Sequence, residues 1–203
     1  MIRSNLWFPP SAPQALLQDI SRLSQEVSPS SDQVEALFLD YFRDDEWTAL
    51  RDMCESWEEI PIFVERMHII NDALAAHING KYTLSVPSLL PQFEGVAAKI
   101  LGNNIARGTG NHIARLIREY YPDVHPAASK YPLIEFVVNH LFVYRNFDTF
   151  DEKLESQGIK ATSFLHRHAI FHGVHLDYAT PGLSLRAFLL LDALSYICDD
   201  NTP

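Results

Sequence analysis

From Ser184 to Cys198 the chain reads SLRAFLLLDALSYIC and is apolar on most sides of a helix. Such a helix has no polar face to give to solvent, so it must run through the middle of a bundle with other helices around it. The rest of the chain supplies them. Leu16, Leu17, Ile20 and Leu23 recur at helical spacing between about Pro13 and Val27. Val34, Leu37, Phe38 and Tyr41 mark a second helix, with Ser31 or Asp32 as its cap. Trp47, Leu50 and Met53 mark a short third helix that ends near Trp57. Pro61 opens a longer one, with Phe63, Val64, Met67, Ile70, Leu74 and Ile78 along one side and Gly80 as its stop. Lys81 to Val86 is the one stretch with strand character, and it is too short to make a sheet. Pro87 and Pro91 frame the start of a helix that ends at Gly102; its stripe of Leu90, Ala97, Ala98 and Leu101 has Glu94 in the middle. A carboxylate facing a core is costly unless it is paired. Further helices are expected around Ile113, Leu116 and Ile117, and around Leu133, Phe136, Val137, Leu141 and Val143. The expected fold is all-α, with about eight helices by periodicity. A weak boundary near residues 58–60 separates an N-terminal helical extension, 1–58, from the main bundle, 59–203.

Charge narrows the partners. The 203 residues carry a net charge of -10, so the surface as a whole does not attract nucleic acid and any RNA contact must be local. The two cysteines, Cys54 and Cys198, match no metal or redox spacing and are expected to be buried, reduced thiols. There is no basic-then-apolar start and no uncharged run long enough to span a membrane. The expectation is a cytoplasmic protein with no membrane contact.

The densest chemistry lies just before the last helix. Phe164-Leu165-His166-Arg167-His168-Ala169-Ile170-Phe171-His172-Gly173 puts three histidines and an arginine within seven residues of an otherwise apolar segment. Read as a helix of two to three turns closed by Gly173, it places Phe164, His168 and His172 on one face, with His166 pointing away. Arg167 lies about 100° from His168 and about 140° from His172, so its long stem must carry the guanidinium toward the imidazoles. A cation beside a titratable base suits the handling of a phosphate.

Arg167-His168-Ala169-Ile170-Phe171-His172 resembles the Arg-φ-x3-His motif of the HEPN superfamily, in which φ is usually Asn, Asp or His. The position, late in an all-α chain with one more helix to follow, also fits. Leu90 to Gly95, Arg167 to Gly173, Asp177-Tyr178 and Ser184-Leu185-Arg186 together are similar to uncharacterised, abortive-infection-like bacterial members, over about residues 60–200. The resemblance implies a HEPN-like helical bundle that dimerises with the motifs of two protomers facing. It implies metal-independent RNA cleavage, without cofactor, by attack of a 2′-hydroxyl on the adjacent phosphorus. Arg167 would hold the scissile phosphate, His172 would act as general base or acid, and His168 in the φ position would help orient the site. A toxin or phage-defence role, with an antitoxin or defence-system partner, follows from the same resemblance. Glu94 is expected from its own position to pair with Arg167 and fix its direction. Tyr178, Ser184 and Arg186 are expected to support the motif loop, Ser184 as N-cap of the last helix.

Two other readings compete. Some members of the superfamily are non-catalytic interaction modules, and the acidic charge favours that role. The third is a metal-dependent hydrolase. His168 and His172 have the i, i+4 spacing that a helix can offer zinc, and His175 could add a third ligand. Against it, His166 faces away, no Glu follows the first histidine, and Arg167 would put a cation beside the metal. His68, His77, His112, His125 and His140 are scattered and receive no role.

Overall fold

A computed structural model describes residues 14–26, 30–102, 109–120, 137 and 165–199. Most of these residues are helical, with no strand among them. The elements are α1 (Gln14–Glu26), α2 (Ser31–Ser56), a 3-10 turn (Trp57–Glu59), α3 (Pro61–Val64), α4 (Met67–Ile78), α5 (Tyr82–Ile100), α6 (Thr109–Tyr120), α7 (Arg167–Phe171) and α8 (Pro181–Asp199). The helix expected around residues 133–145, the acidic stretch after Phe147, Phe164 and the lead-in before Gln14 lie outside the described residues, apart from Val137.

The all-round apolar helix is the centre of the molecule. Every residue of α8 from Gly182 to Ser195 is buried, and α8 packs against α5, α2, α6 and α4. One core runs continuously from Leu16 and Phe38 through Trp57, Phe63 and Phe93 to Phe188 and Ile197. Trp57 and Phe63, on either side of residues 58–60, both belong to it, and Ile60 packs against it. The α8 helix has mean hydropathy and length sufficient to cross a membrane, yet 89% of it is buried inside the fold.

Several local expectations are corrected. The cap of α2 is Ser30, not Ser31 or Asp32: its Oγ accepts from Gln33 N at 3.2 Å, and the Gln33 side chain accepts from Ser30 N at 2.9 Å. The break expected between Tyr41 and Trp47 is real. Asp44 turns extended, and Asp45, Glu46 and Trp47 adopt left-handed φ values of 47°, 55° and 67°. Each such non-glycine residue costs about 1–2 kcal/mol. The turn drives the Trp47 ring into the core, where it is 8% exposed, and that burial offsets part of the cost. The long helix from Pro61 is interrupted at Glu65 and Arg66, which rotates Val64 out of the apolar stripe to 54% exposure.

Lys81 to Val86 is not a strand. Tyr82 begins α5, and both Pro87 and Pro91 lie inside that helix rather than at its start. A proline removes the N–H that would bond the carbonyl four residues back. For Pro87 that carbonyl belongs to Thr83, and the Tyr178 hydroxyl donates to it at 3.4 Å. Burial of Val86, Leu89, Leu90 and Phe93 supplies the rest of the compensation.

Ser184 is not the N-cap of α8. Thr180 is: its Oγ1 accepts from Leu183 N at 3.1 Å, with Pro181 at the first helical position. Among the described contacts, the partner of Arg186 is on α2 and not on the motif loop. Its Nη2 meets Glu35 Oε2 of α2 at 2.6 Å, with the arginine side chain 1% exposed. Gly182 makes room for that carboxylate, since a Cβ there would lie 2.2 Å from Glu35 Oε1. A glutamate at the first turn of α8 also complements the helix dipole.

Candidate functional site

The motif helix is shorter than its sequence suggests. His166 caps it, its Nδ1 accepting from Ala169 N at 3.0 Å, and His166 is itself buried at 2% exposure. An imidazole that serves as the cap ends the helix on its N-terminal side, so α7 is five residues rather than two to three turns. The far end closes as expected. Gly173 takes φ +69°, Gly173 N donates to Ile170 O at 3.1 Å and Val174 N donates to Ala169 O at 2.9 Å. That pair of bonds is a Schellman motif, and its left-handed position is the reason for a glycine there. Leu165, Ala169 and Ile170 face the core and hold α7 down. Arg167 and His168 are left half-buried, and Phe171 and His172 exposed.

Arg167 meets Glu94 across the α5–α7 contact, through Nε and Oε1. Side-chain exposures of 18% and 26% put the pair at the rim of the fold, shielded but reachable. Burial raises the Glu94 pKa, and the neighbouring Arg167 charge and hydrogen bond pull it back. The polar member of the α5 stripe thus has its partner, and the guanidinium is anchored by its Nε edge. His168 and His172 meet edge to face one turn apart, ring centroids 4.3 Å and planes at 64°. Desolvation first, and then the nearby His172 and Arg167, lower the His168 pKa below the ordinary imidazole value. His168 is therefore held toward its neutral form. Among the described residues, no three His, Cys, Asp or Glu side chains converge on a point where an ion could sit. His175 instead lies beside Tyr178, ring centroids 6.2 Å apart. Tyr178 ties the loop after the motif to the first turn of α5 and does not itself touch Arg167 or His172 in any described contact.

A second polar cluster was not anticipated. His77 Nδ1 lies 2.7 Å from Ser184 Oγ, and Ser184 Oγ lies 2.6 Å from Ser85 Oγ. All three residues are completely buried. Ring edges of Trp47, Tyr82 and Phe188 surround the imidazole, at centroid distances of 4.5, 5.4 and 5.6 Å. Burial, helped by the Arg43 charge, lowers the His77 pKa to about 4. A serine beside a histidine has the chemistry of a nucleophile and base. Here the Ser184 amide is already bonded to Thr180 O and no substrate can reach the hydroxyl, so the cluster is a polar tie among α4, α5 and α8. One signal could have found it: His77 falls three residues after Leu74 and seven after Ile70, on the apolar stripe of its helix.

Cys54 and Cys198 are both buried, and neither is in a disulfide. Burial, with Asp192 nearby, raises the Cys54 thiol well above its ordinary value. No protein-family model matches the chain, and neither a curated protein nor a solved structure shows significant similarity to it.

Proposed function

We propose that the protein is a metal-independent endoribonuclease of HEPN type. The observation that carries this reading is the shared rim of α5 and α7: an arginine anchored by Glu94, beside two imidazoles in edge-to-face contact 4.3 Å apart, with His172 open to solvent. Arg167 holds the scissile phosphate and offsets the charge that builds on it in the transition state. His172 takes or returns a proton at the 2′-hydroxyl or the leaving oxygen, and His168 orients the pair. The 2′-oxygen forms a bond to phosphorus, the bond from phosphorus to the 5′-oxygen breaks, and that oxygen gains a proton. The products are a 2′,3′-cyclic phosphate and a 5′-hydroxyl. Glu94 is a positioning residue that acts through Arg167. The reading includes a cytoplasmic homodimer with the motifs facing, acting as a toxin or phage-defence effector under an antitoxin or defence-system partner.

A non-catalytic interaction module is the second reading. It is favoured by the net charge of -10 and by Phe171, Val174 and Leu176, which are 44%, 50% and 75% exposed beside the motif. The deciding experiment is incubation of total RNA with purified protein in chelator, wild type against His172→Ala. Cleavage lost in the variant supports the nuclease. Equal cleavage by both points to a contaminant, and none by either, with both folded, selects the interaction module.

A further inference from the structure

We infer that Phe171 is a stacking platform for a nucleobase, which makes single-stranded RNA the substrate class; this rests on the ribonuclease reading above. Arg167 and Phe171 are four residues apart on α7 and so lie on one side of it, about 6 Å apart along the axis. His168 and His172 form the adjacent stripe. One short helix therefore offers a guanidinium for a phosphate, an aromatic face one turn further on, and two imidazoles beside both.

Phe171 is the single aromatic among the described large apolar residues left exposed; the others are Val64, Leu84, Val174 and Leu176. Its neighbours Ala169 and Ile170 already fill the core side of α7, and 44% of Phe171 is left open to solvent beside Arg167. A chain of net charge -10 gains little from tracking a phosphate backbone, and stacking supplies affinity that does not depend on counterion release. Stacking on a side chain requires a base that is out of a duplex, which selects single strands, loops or ends.

The test is binding of a fluorescent single-stranded 2′-O-methyl oligoribonucleotide, which resists cleavage, to wild type, Phe171→Leu and Phe171→Trp. Leucine keeps the apolar bulk and removes the π face, while tryptophan enlarges that face. The expected result is a Kd raised about tenfold by leucine and held or lowered by tryptophan, within the usual worth of a base on an aromatic side chain. A duplex of the same sequence should bind weakly and alike to all three. Equal single-strand affinities for the three proteins would overturn the inference, as would no binding by folded wild type. A shift in oligomeric state with Phe171→Leu at unchanged affinity would also overturn it, and would mark a protein-docking face instead. The ribonuclease reading fails separately: Phe171-dependent binding by a wild type that cleaves no RNA leaves the platform standing and removes the nuclease.

Discussion

Two clusters of histidine with hydroxyl, carboxylate or guanidinium neighbours stand among the described residues, and they have opposite fates. His77 sits in the middle of the core, bonded to Ser184, walled by aromatic rings and titrating near 4. His168 and His172 sit at a rim, on a helix only five residues long, next to an ion-paired arginine. In the first, His77 Nδ1 and the two serine hydroxyls are bonded to one another inside the core, His77 Nε2 is buried with no hydrogen-bond partner among the described residues, and the cluster ties helices together. In the second, the side chains are held in place from one side and offered to solvent on the other. Histidine with a suitable neighbour is thus not enough to mark chemistry; access separates a brace from a site.

The sharpest way to break this contrast is to remove one histidine from each cluster. His172→Ala should lower RNA cleavage by about 10²- to 10⁴-fold, the usual worth of a general acid or base. Its stability should stay within about 0.5 kcal/mol of wild type, as for other exposed positions. His77→Ala should do the reverse. It leaves a cavity and deprives Ser184 of its partner, a loss of about 3 kcal/mol in urea unfolding, with cleavage per folded molecule unchanged. Loss of stability in the first variant, or loss of rate alone in the second, would collapse the distinction.

Acidity probes the buried side of the comparison. Neutral His77 stabilises the fold above about pH 6.5, and that contribution is lost as pH falls toward its folded value of about 4. Asp192 runs the other way. Burial pushes its pKa from 3.8 to about 7, with Trp57 acting against the shift. Its contribution is fully present below about pH 4 and lost as pH rises through about 7. Each amounts to roughly 3–4 kcal/mol, and the two windows overlap. Wild-type stability should therefore vary little between pH 4.5 and 7.5. Asp192→Asn should lose stability as pH falls, and His77→Phe should lose it as pH rises. Denaturant titrations at three pH values read both slopes, and parallel behaviour of the two variants would refute the assignment.

The smallest expected effect separates positioning from contact. Glu94→Gln should lower kcat with little change in KM, by less than His172→Ala does, and Glu94→Asp should recover part of the loss. A change confined to the melting temperature would make the Glu94–Arg167 pair a structural tie and move the rim toward the His77 kind of cluster.

Local pattern made much of this legible. The period of apolar residues gave the helices, the all-round apolar run put α8 at the centre, and Gly173 marked the end of α7. Glu94 in an apolar stripe needed a cation, and the motif contained the nearest candidate in kind; the structure pairs it with Arg167. Three of the misreadings share one cause. Pro87 and Pro91 looked like a helix start because the compensating hydroxyl, Tyr178, lies 95 residues away. Ser184 looked like a cap because its partner His77 is 107 residues away, and Arg186 looked like a loop support because Glu35 is 151 away. His166 looked like an outward residue on a longer helix, because a side chain that caps its own helix is not visible in periodicity.

The sequence by itself determined the all-α class, the central helix and the residues gathered in the motif, because those follow from the spacing of apolar and titratable side chains along one chain. Only the tertiary structure decided which polar groups are braces and which are exposed. That depends on burial and on partners distant in sequence, and on these the desolvation cost and charge state of each histidine depend.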